Sequence, residues 1–330
     1  MAQTQRHLHG QSRSLARPAK VIGIAGLLSL VVFFELPHGV EYLHVLQKLA
    51  HPVTFGLASL LALSALRGAG GASGSPMRNY VIAFAVAVAL GAATEVAQIF
   101  ARRDPSVFDV FRDALGASTA LAGYAGFELR RCRRTERSPW QRALALLGVT
   151  GIAVMLTPLI WCATAYVNRN LRFPVVAQFD SPLDLYFVTA IGSEAQRVSA
   201  PAGWSTGTQE QVLELKLGSG SWPGLAMQEP CPDWSRYSQL AIDITNPTAI
   251  AASITVRVHD RHHNQEYADR FNREFVVPAR TRTVVRIALG DIESAPAGRR
   301  MDLGQIANVT LFSSRIPRPE KFLLNRILLE

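Results

Sequence analysis

Seven polar residues interrupt the hydrophobic segments in the first half of the chain at helical spacings. Two pairs are three residues apart and one pair is four residues apart, so the members of each pair share one face of a helix. Carboxylates, an imidazole and cationic groups that lie together can transfer protons or orient a phosphate. The predicted cluster consists of Lys48 and His51, Glu95 and Gln98, Arg103, and Asp109 and Asp113.

The spacing leaves two interpretations of this cluster open. An ionised carboxylate at membrane depth costs about 3 kcal/mol on insertion scales, so Glu95 needs a partner. Lys48, His51 or Arg103 can supply one. One interpretation is a polar pocket open to the outer leaflet, and the other is a salt-bridge cluster that only holds three helices together.

A second group of candidate residues lies in the last third of the chain. Trp222 and Trp234 can stack on sugar rings, although aromatic side chains also form the cores of β-sandwiches. Asp269, Arg270 and Asn272 either offer polar groups to a ligand or form a salt-bridged turn. These five residues are the predicted ligand-binding candidates of the second half.

The sequence predicts no metal site and no cofactor. Its three cysteines lie far apart without a CxxC pair, which argues against a thiolate site and against a disulfide framework. The histidines within residues 259–264 lack a recognisable ligand spacing and are interpreted as part of an exposed turn. The HExxH motif and the Walker loop are absent, and the sequence leaves open whether the protein is an enzyme.

The elements that must position the first cluster are apolar segments. A bilayer core needs about 20 apolar residues in a helix. The fourth segment is the weakest, because Asp109, Arg112 and Asp113 lie in its first turns. The five predicted spans are Val21–Leu36, Leu49–Leu66, Tyr80–Phe100, Phe108–Leu129 and Ala143–Val167.

The distribution of charge indicates a membrane protein rather than a nucleic-acid-binding one. Residues 1–166 carry 16 Lys and Arg against 8 Asp and Glu, whereas residues 167–330 carry 18 against 17. A basic excess between apolar segments is typical of cytoplasmic loops. Because 12 of the 16 lie on alternate sides of the five spans, we predict a cytoplasmic N-terminus (1–20), a membrane domain (21–167) and an external domain (168–330).

Residues 168–330 have a β-rich pattern in which apolar and polar residues alternate with period two between turn residues. Many short strands predict an all-β sandwich or jelly roll. The predicted fold class is therefore an α-helical membrane domain with five transmembrane helices, followed by this sandwich. The predicted strands are Gln211–Leu217, Gln239–Thr245, Ser253–His259, Phe271–Val277, Thr281–Leu289, Asn308–Phe312 and Phe322–Leu329.

Two ordered motifs lie between residues 40 and 130. Lys48-Leu-Ala-His51-Pro-Val-Thr-Phe55 opens the second span, and Glu95-Val-Ala-Gln98 is followed by Arg103, Asp109 and Gly116. They resemble the Lys-x-x-His-x-x-x-Phe motif and the E-x-x-Q…R…D…G signature of the VanZ-like family. Two positions depart from the family pattern, since Gln47 replaces a usual Asp and Asp113 a usual Asn.

The resemblance implies an integral membrane protein of the bacterial envelope. The namesake of the VanZ-like family is linked to resistance to a glycopeptide antibiotic, but the biochemical activity of the family is not established. In the second half, the segments around Trp222, Pro232–Tyr237 and Tyr267–Asn272 resemble the strands and turns of galactose-binding-like jelly rolls, which include carbohydrate-binding modules.

These features together predict a protein of the bacterial inner membrane, in contact with lipids, whose external module recognises an envelope glycan or a neighbouring protein. Two alternatives stay open. One is an enzyme that acts on a lipid-linked saccharide, with Glu95, His51 and Asp109 as acid–base or phosphate-orienting groups. The other is a non-catalytic scaffold between membrane and periplasm. The sequence predicts no oligomeric state.

Overall fold

The computed structural model describes residues 23–24, 26, 39–69, 75–100, 105–132, 139–205, 210–313 and 320–330. The chain divides into two compact units, Met1–Cys162 and Ala163–Glu330. The first unit is helical. The second contains the last turns of a long helix and eleven strands.

Four long helices are α1 (Glu41–Ala69), α2 (Pro76–Phe100), α3 (Val107–Cys132) and α4 (Pro139–Arg172). Helices α2 and α4 begin with proline, a residue favoured in the first helical turn, where its missing N–H breaks no hydrogen bond. Of the described helices, α1, α2 and α4 are long and apolar enough to cross a membrane.

Five spans were predicted, and three of them fall on these apolar helices. The fourth predicted segment forms α3, which is not among the three because charged side chains occupy both of its ends. The first segment, Val21–Leu36, lies outside the described residues except at positions 23, 24 and 26. A count of five transmembrane helices therefore stays a prediction.

Small residues allow the first three helices to approach one another closely. On α2 the buried stripe consists of Ala83, Ala87, Gly91, Thr94, Glu95 and Gln98. The tightest contact joins α1 to α3, where a Cβ atom added at Gly116 would lie 1.9 Å from the Pro52 carbonyl oxygen. Close backbone approach at small residues is the usual basis of helix packing in membranes. This contact fixes the position of His51, which directly precedes Pro52.

We expect Gly116→Ala to destabilise the helical unit, because the added methyl group has no space beside Pro52. Overpacking of this kind costs about 1–3 kcal/mol. Gly123→Ala is the matched control on the same helix, since a Cβ atom there meets nothing within 4 Å. It should be neutral or stabilising, by up to about 1 kcal/mol, through helix propensity. Melting of the purified protein in detergent distinguishes them, and equal melting temperatures would contradict the packing argument.

The second unit is a sandwich of two antiparallel sheets, which confirms the predicted all-β fold. Strands β3, β4, β11, β6 and β9 are neighbours in that order, with β1 also paired to β11; the second sheet has the order β2-β5-β10-β7-β8. The strands are β1 (Val175–Ala177), β2 (Val188–Ile191), β3 (Ser193–Ser199), β4 (Gln211–Leu217), β5 (Gly224–Gln228), β6 (Gln239–Asn246), β7 (Ala252–Asp260), β8 (Phe271–Val277), β9 (Thr281–Ala288), β10 (Ile306–Phe312) and β11 (Lys321–Leu329).

The alternating strands place one apolar face of each sheet in a shared core. In β7 every second residue from Ala252 to Asp260 is buried, as the period-two pattern predicts. The largest side chains of the core are Trp234, Phe179 and Phe322, all fully buried. Trp234 donates its indole N–H to the Cys231 carbonyl oxygen at 2.7 Å, which satisfies its one polar atom within the core.

Candidate functional site

The structure brings residues of three helices together in what we call the helical cluster, defined as His51, Glu95, Gln98, Asp109 and Asp113. His51 lies in the third turn of α1, Glu95 near the end of α2 and Asp109 in the first turn of α3. Candidate ligand atoms of these three side chains lie within 4.8 Å of one another. His51, Glu95, Gln98 and Asp113 are buried.

Each acidic group of the helical cluster has one oxygen held by a donor. The Ser106 amide, directly before α3, donates to Glu95 Oε2 at 2.6 Å. Arg112 donates to Asp109 Oδ1, and His51 Nδ1 lies 3.3 Å from Asp113 Oδ1. These contacts orient the three side chains through one oxygen each. The second oxygen of each carboxylate takes no part in them.

Three buried polar atoms of the helical cluster have no hydrogen-bond partner within the described part of the chain. They are Glu95 Oε1, Gln98 Nε2 and Asp113 Oδ2. Leaving a buried polar group unpaired costs about 1–3 kcal/mol, and more for a charged one. Within the described residues, these three atoms therefore keep unused hydrogen-bonding capacity.

Of the seven residues predicted for this site, Lys48 does not contribute to the helical cluster. Lys48 is exposed on α1, and no ion pair joins it to Glu95 among the described residues. Of the three partners considered for Glu95, Lys48 is the one that the helix directs outward, one turn before His51. Arg103 lies outside the described residues.

Sequence analysis missed a second polar contact in the helical unit, formed by Arg67, Tyr80 and Glu128. Arg67 makes two contacts to the Glu128 carboxylate, one of them at 2.8 Å, and the Tyr80 hydroxyl donates to the same carboxylate at 2.8 Å. These residues line a cavity of about 1000 Å³. A charged residue within an apolar segment needs a partner, and this rule could have singled out Glu128 in the sequence. The rule does not tell which residue is the partner.

In the sandwich, Asp269 is buried and accepts hydrogen bonds within a turn, so it is not exposed to solvent. Its Oδ1 accepts from Arg299 Nε at 2.5 Å and its Oδ2 accepts from the Asn264 amide at 2.9 Å. Arg299 also contacts both carboxylate oxygens of Asp260, which is fully buried. Asp269 therefore forms the salt-bridged turn that was the alternative to a ligand contact. Trp234 likewise is a core aromatic residue and not an exposed stacking surface.

Arg299 and the Asn264 amide lower the pKa of Asp269 from its ordinary value of 3.8 to about 2. A carboxyl with a lowered pKa in the folded state stabilises the fold above its unfolded pKa, and this contribution is lost as the pH falls through the folded value. We therefore expect Asp269→Asn to lower the melting temperature at pH 7. The difference from the unmodified protein should narrow as the pH falls from 5 towards 2.

The control for this experiment is Asp291→Asn, which removes a half-exposed ion pair with Arg273. Exposed pairs contribute about 0–1 kcal/mol, so the control should change melting little. A constant difference between Asp269→Asn and the unmodified protein across this pH range would refute the assignment.

The other candidates belong to what we call the polar sheet face, the outward side of the five-stranded sheet around Arg257, Asn272 and Phe312. Arg257 Nε donates to Asn272 Oδ1 at 3.3 Å, and its guanidinium lies 5.0 Å from the centre of the Phe312 ring. Trp222, half exposed, lies 6.5 Å from the same ring. Thr310 is directly opposite Arg257 on the neighbouring strand.

A second arginine extends the polar sheet face. Arg270 stacks at 5.2 Å over the ring of Tyr267, which is 70% exposed. Burial and the charge of Arg270 lower the pKa of Arg257, so the two cations repel each other. Arg270 Nε and Asn272 Nδ2 are buried donors without a hydrogen-bond partner among the described residues. The polar sheet face thus combines unpaired donors and positive charge with exposed aromatic rings.

Several solved structures are similar to part of this chain. An exo-β-agarase is 15% identical over 47% of this chain and 24% of its own, with a TM-score of 0.38. The family 11 carbohydrate-binding module from Clostridium thermocellum, in complex with a β-1,3-1,4-mixed-linked tetrasaccharide, is 14% identical over 47% of this chain and 93% of its own, with a TM-score of 0.37. The chain spans about a quarter of the agarase.

No family model matches the chain, and no curated protein matches it. The resemblance of residues 40–130 to the VanZ-like family therefore stays a prediction.

Proposed function

We propose that this protein is a membrane protein of the bacterial envelope whose β-sandwich binds an acidic saccharide on the polar sheet face. The observation that carries the proposal is the position of Arg257 directly opposite Asn272, which lies two residues from Arg270 along the chain. Asn272 and Arg270 each have a buried donor without a partner among the described residues. An acidic ligand supplies acceptors to these donors and relieves the repulsion between the two guanidinium groups.

The aromatic residues supply the remaining part of a saccharide site. Sugar rings have apolar faces that stack on aromatic side chains, while their hydroxyl and carboxylate groups need hydrogen bonds at the edge. Trp222 and Tyr267 are exposed aromatic residues next to Phe312 and Arg270, respectively. A guanidinium group fits a carboxylate or a phosphate better than a neutral hydroxyl, because it donates two parallel hydrogen bonds.

Binding of an oligogalacturonate and of a neutral xylo-oligosaccharide of the same length tests this function. We expect the full-length protein in detergent to bind the uronate measurably more tightly by calorimetry. Arg257→Gln and Trp222→Ala should each weaken uronate binding by at least tenfold, since one removes the charge and the other the stacking surface.

Two variants remove the same types of residue, an arginine and a tryptophan, at positions outside the polar sheet face. Arg286→Gln removes an exposed arginine that pairs with Glu330 on the other sheet, and Trp140→Ala removes an exposed tryptophan of α4. Both should bind the uronate as the unmodified protein does. Equal affinity for the neutral sugar, or binding to neither sugar, would overturn the proposal.

The proposal includes the membrane topology, with residues 1–20 in the cytoplasm, 21–167 in the inner membrane and 168–330 outside. Its support is the alternation of basic loops along the sequence. The resemblance of residues 40–130 to the VanZ-like family agrees with an envelope location.

Reporter fusions at Glu330 test this topology. We expect a phosphatase fusion, which needs the oxidising periplasm, to be active, and a fluorescent protein that folds only in the cytoplasm to be dark. The same reporters joined to the N-terminus of the full-length protein should give the opposite pair of signals. If both fusions report the same compartment, the number of spans is even and the five-span proposal fails.

A further inference from the structure

We propose that His51, Glu95 and Asp109 form a binding site for a divalent transition-metal ion, with Zn²⁺ as its best-suited occupant. The three side chains come from α1, α2 and α3, and their candidate ligand atoms lie within 4.8 Å of one another. This proposal revises the sequence-based expectation of no metal, and it does not depend on the saccharide site.

The unpaired atom of Glu95 points to a cation in particular. Glu95 is 6% exposed, and its Oε1 has no partner within the described residues, whereas its Oε2 accepts from the Ser106 amide. An acceptor held in this way, with a ligand atom of Asp109 and one of His51 within 4.8 Å, is suited to a positive charge. Asp113, fully buried, adds a further carboxylate behind His51.

The contacts around the three proposed ligands resemble those that orient metal ligands in general. Metal-binding histidines typically donate the other ring N–H to a carboxylate, which fixes the tautomer and the ring orientation. Asp113 Oδ1 lies 3.3 Å from His51 Nδ1, which leaves Nε2 as the nitrogen for the ion. Ser106 and Arg112 hold the first oxygens of Glu95 and Asp109 in the same way.

The donor set selects the class of ion. One imidazole nitrogen and two carboxylate oxygens suit Zn²⁺ or Mn²⁺, whereas Mg²⁺ and Ca²⁺ prefer oxygen ligands alone. Zinc bonds of about 2.1 Å place tetrahedral ligand atoms about 3.4 Å apart. The ligand atoms, which lie within 4.8 Å of one another, therefore need to approach by up to about 1.4 Å on binding the ion. Three protein ligands leave a fourth position for an oxygen of water or of an anionic ligand.

Co²⁺ provides the main probe, because a four-coordinate N/O site gives it a visible absorption band. The full-length protein is purified in detergent, treated with a chelator and titrated with CoCl₂, followed by competition with ZnCl₂ and MgCl₂. We expect one equivalent of Co²⁺ to bind, with displacement by Zn²⁺ and none by Mg²⁺. Absence of the band, or displacement by Mg²⁺ as effective as by Zn²⁺, overturns the proposal.

Variants separate these ligands from adventitious binding. Asp109→Asn is the first choice, because this residue is only partly buried and the helices should fold without its charge. Asp109→Asn and Glu95→Gln should each weaken Co²⁺ binding at least tenfold. Glu41→Gln, in the first turn of α1, removes a carboxylate outside the helical cluster and should bind Co²⁺ normally.

Melting without added metal shows whether the variants are folded. Glu95→Gln should melt at or above the temperature of the unmodified protein, since it removes a buried charge that lacks its cation. Zn²⁺ should then raise the melting temperature of the unmodified protein and of Glu41→Gln, but not of Glu95→Gln. Equal Zn²⁺ stabilisation of all three proteins would place the ion elsewhere and refute this site.

Discussion

The close backbone contact between α1 and α3 is the constraint on which the helical unit depends. With no side chain at Gly116, the Pro52 carbonyl packs directly against α3. His51 precedes that proline and Asp113 lies one helical turn before that glycine, so the same contact brings their side chains to 3.3 Å. Helix packing and the polar chemistry of the cluster thus have one geometric cause.

Sequence periodicity predicted those parts of the fold in which burial repeats regularly. Strand β7 alternates because one face meets the core, and α2 is apolar without interruption from Val81 to Ala93. Strand β5, Gly-Leu-Ala-Met-Gln, was missed because both of its faces are largely buried, which removes the alternation. Strand β3 was missed for the opposite reason, since no residue of its polar sequence is fully buried.

Spacing predicted which residues share a helix face but not which faces meet. It grouped His51 with Lys48 correctly as near neighbours, yet the lysine is exposed while the histidine is buried. Partners such as the Ser106 amide and Arg299 are set by tertiary contacts and leave no local pattern. For the same reason, the aromatic and acidic candidates of the sandwich divided into Trp222, which is exposed, and Trp234 and Asp269, which stabilise the fold.

The charge of Glu95 is the feature that structural stability alone does not explain. A glutamine at this position would accept the Ser106 hydrogen bond through its carbonyl oxygen and would avoid burying a carboxylate. The burial of a carboxylate whose Oε1 has no hydrogen-bond partner among the described residues is a cost to folding. Such costs are typical of functional sites, where a ligand supplies the missing charge. The arginines of the polar sheet face repeat this situation with the opposite sign, which is why the two sites call for a cation and an anion, respectively.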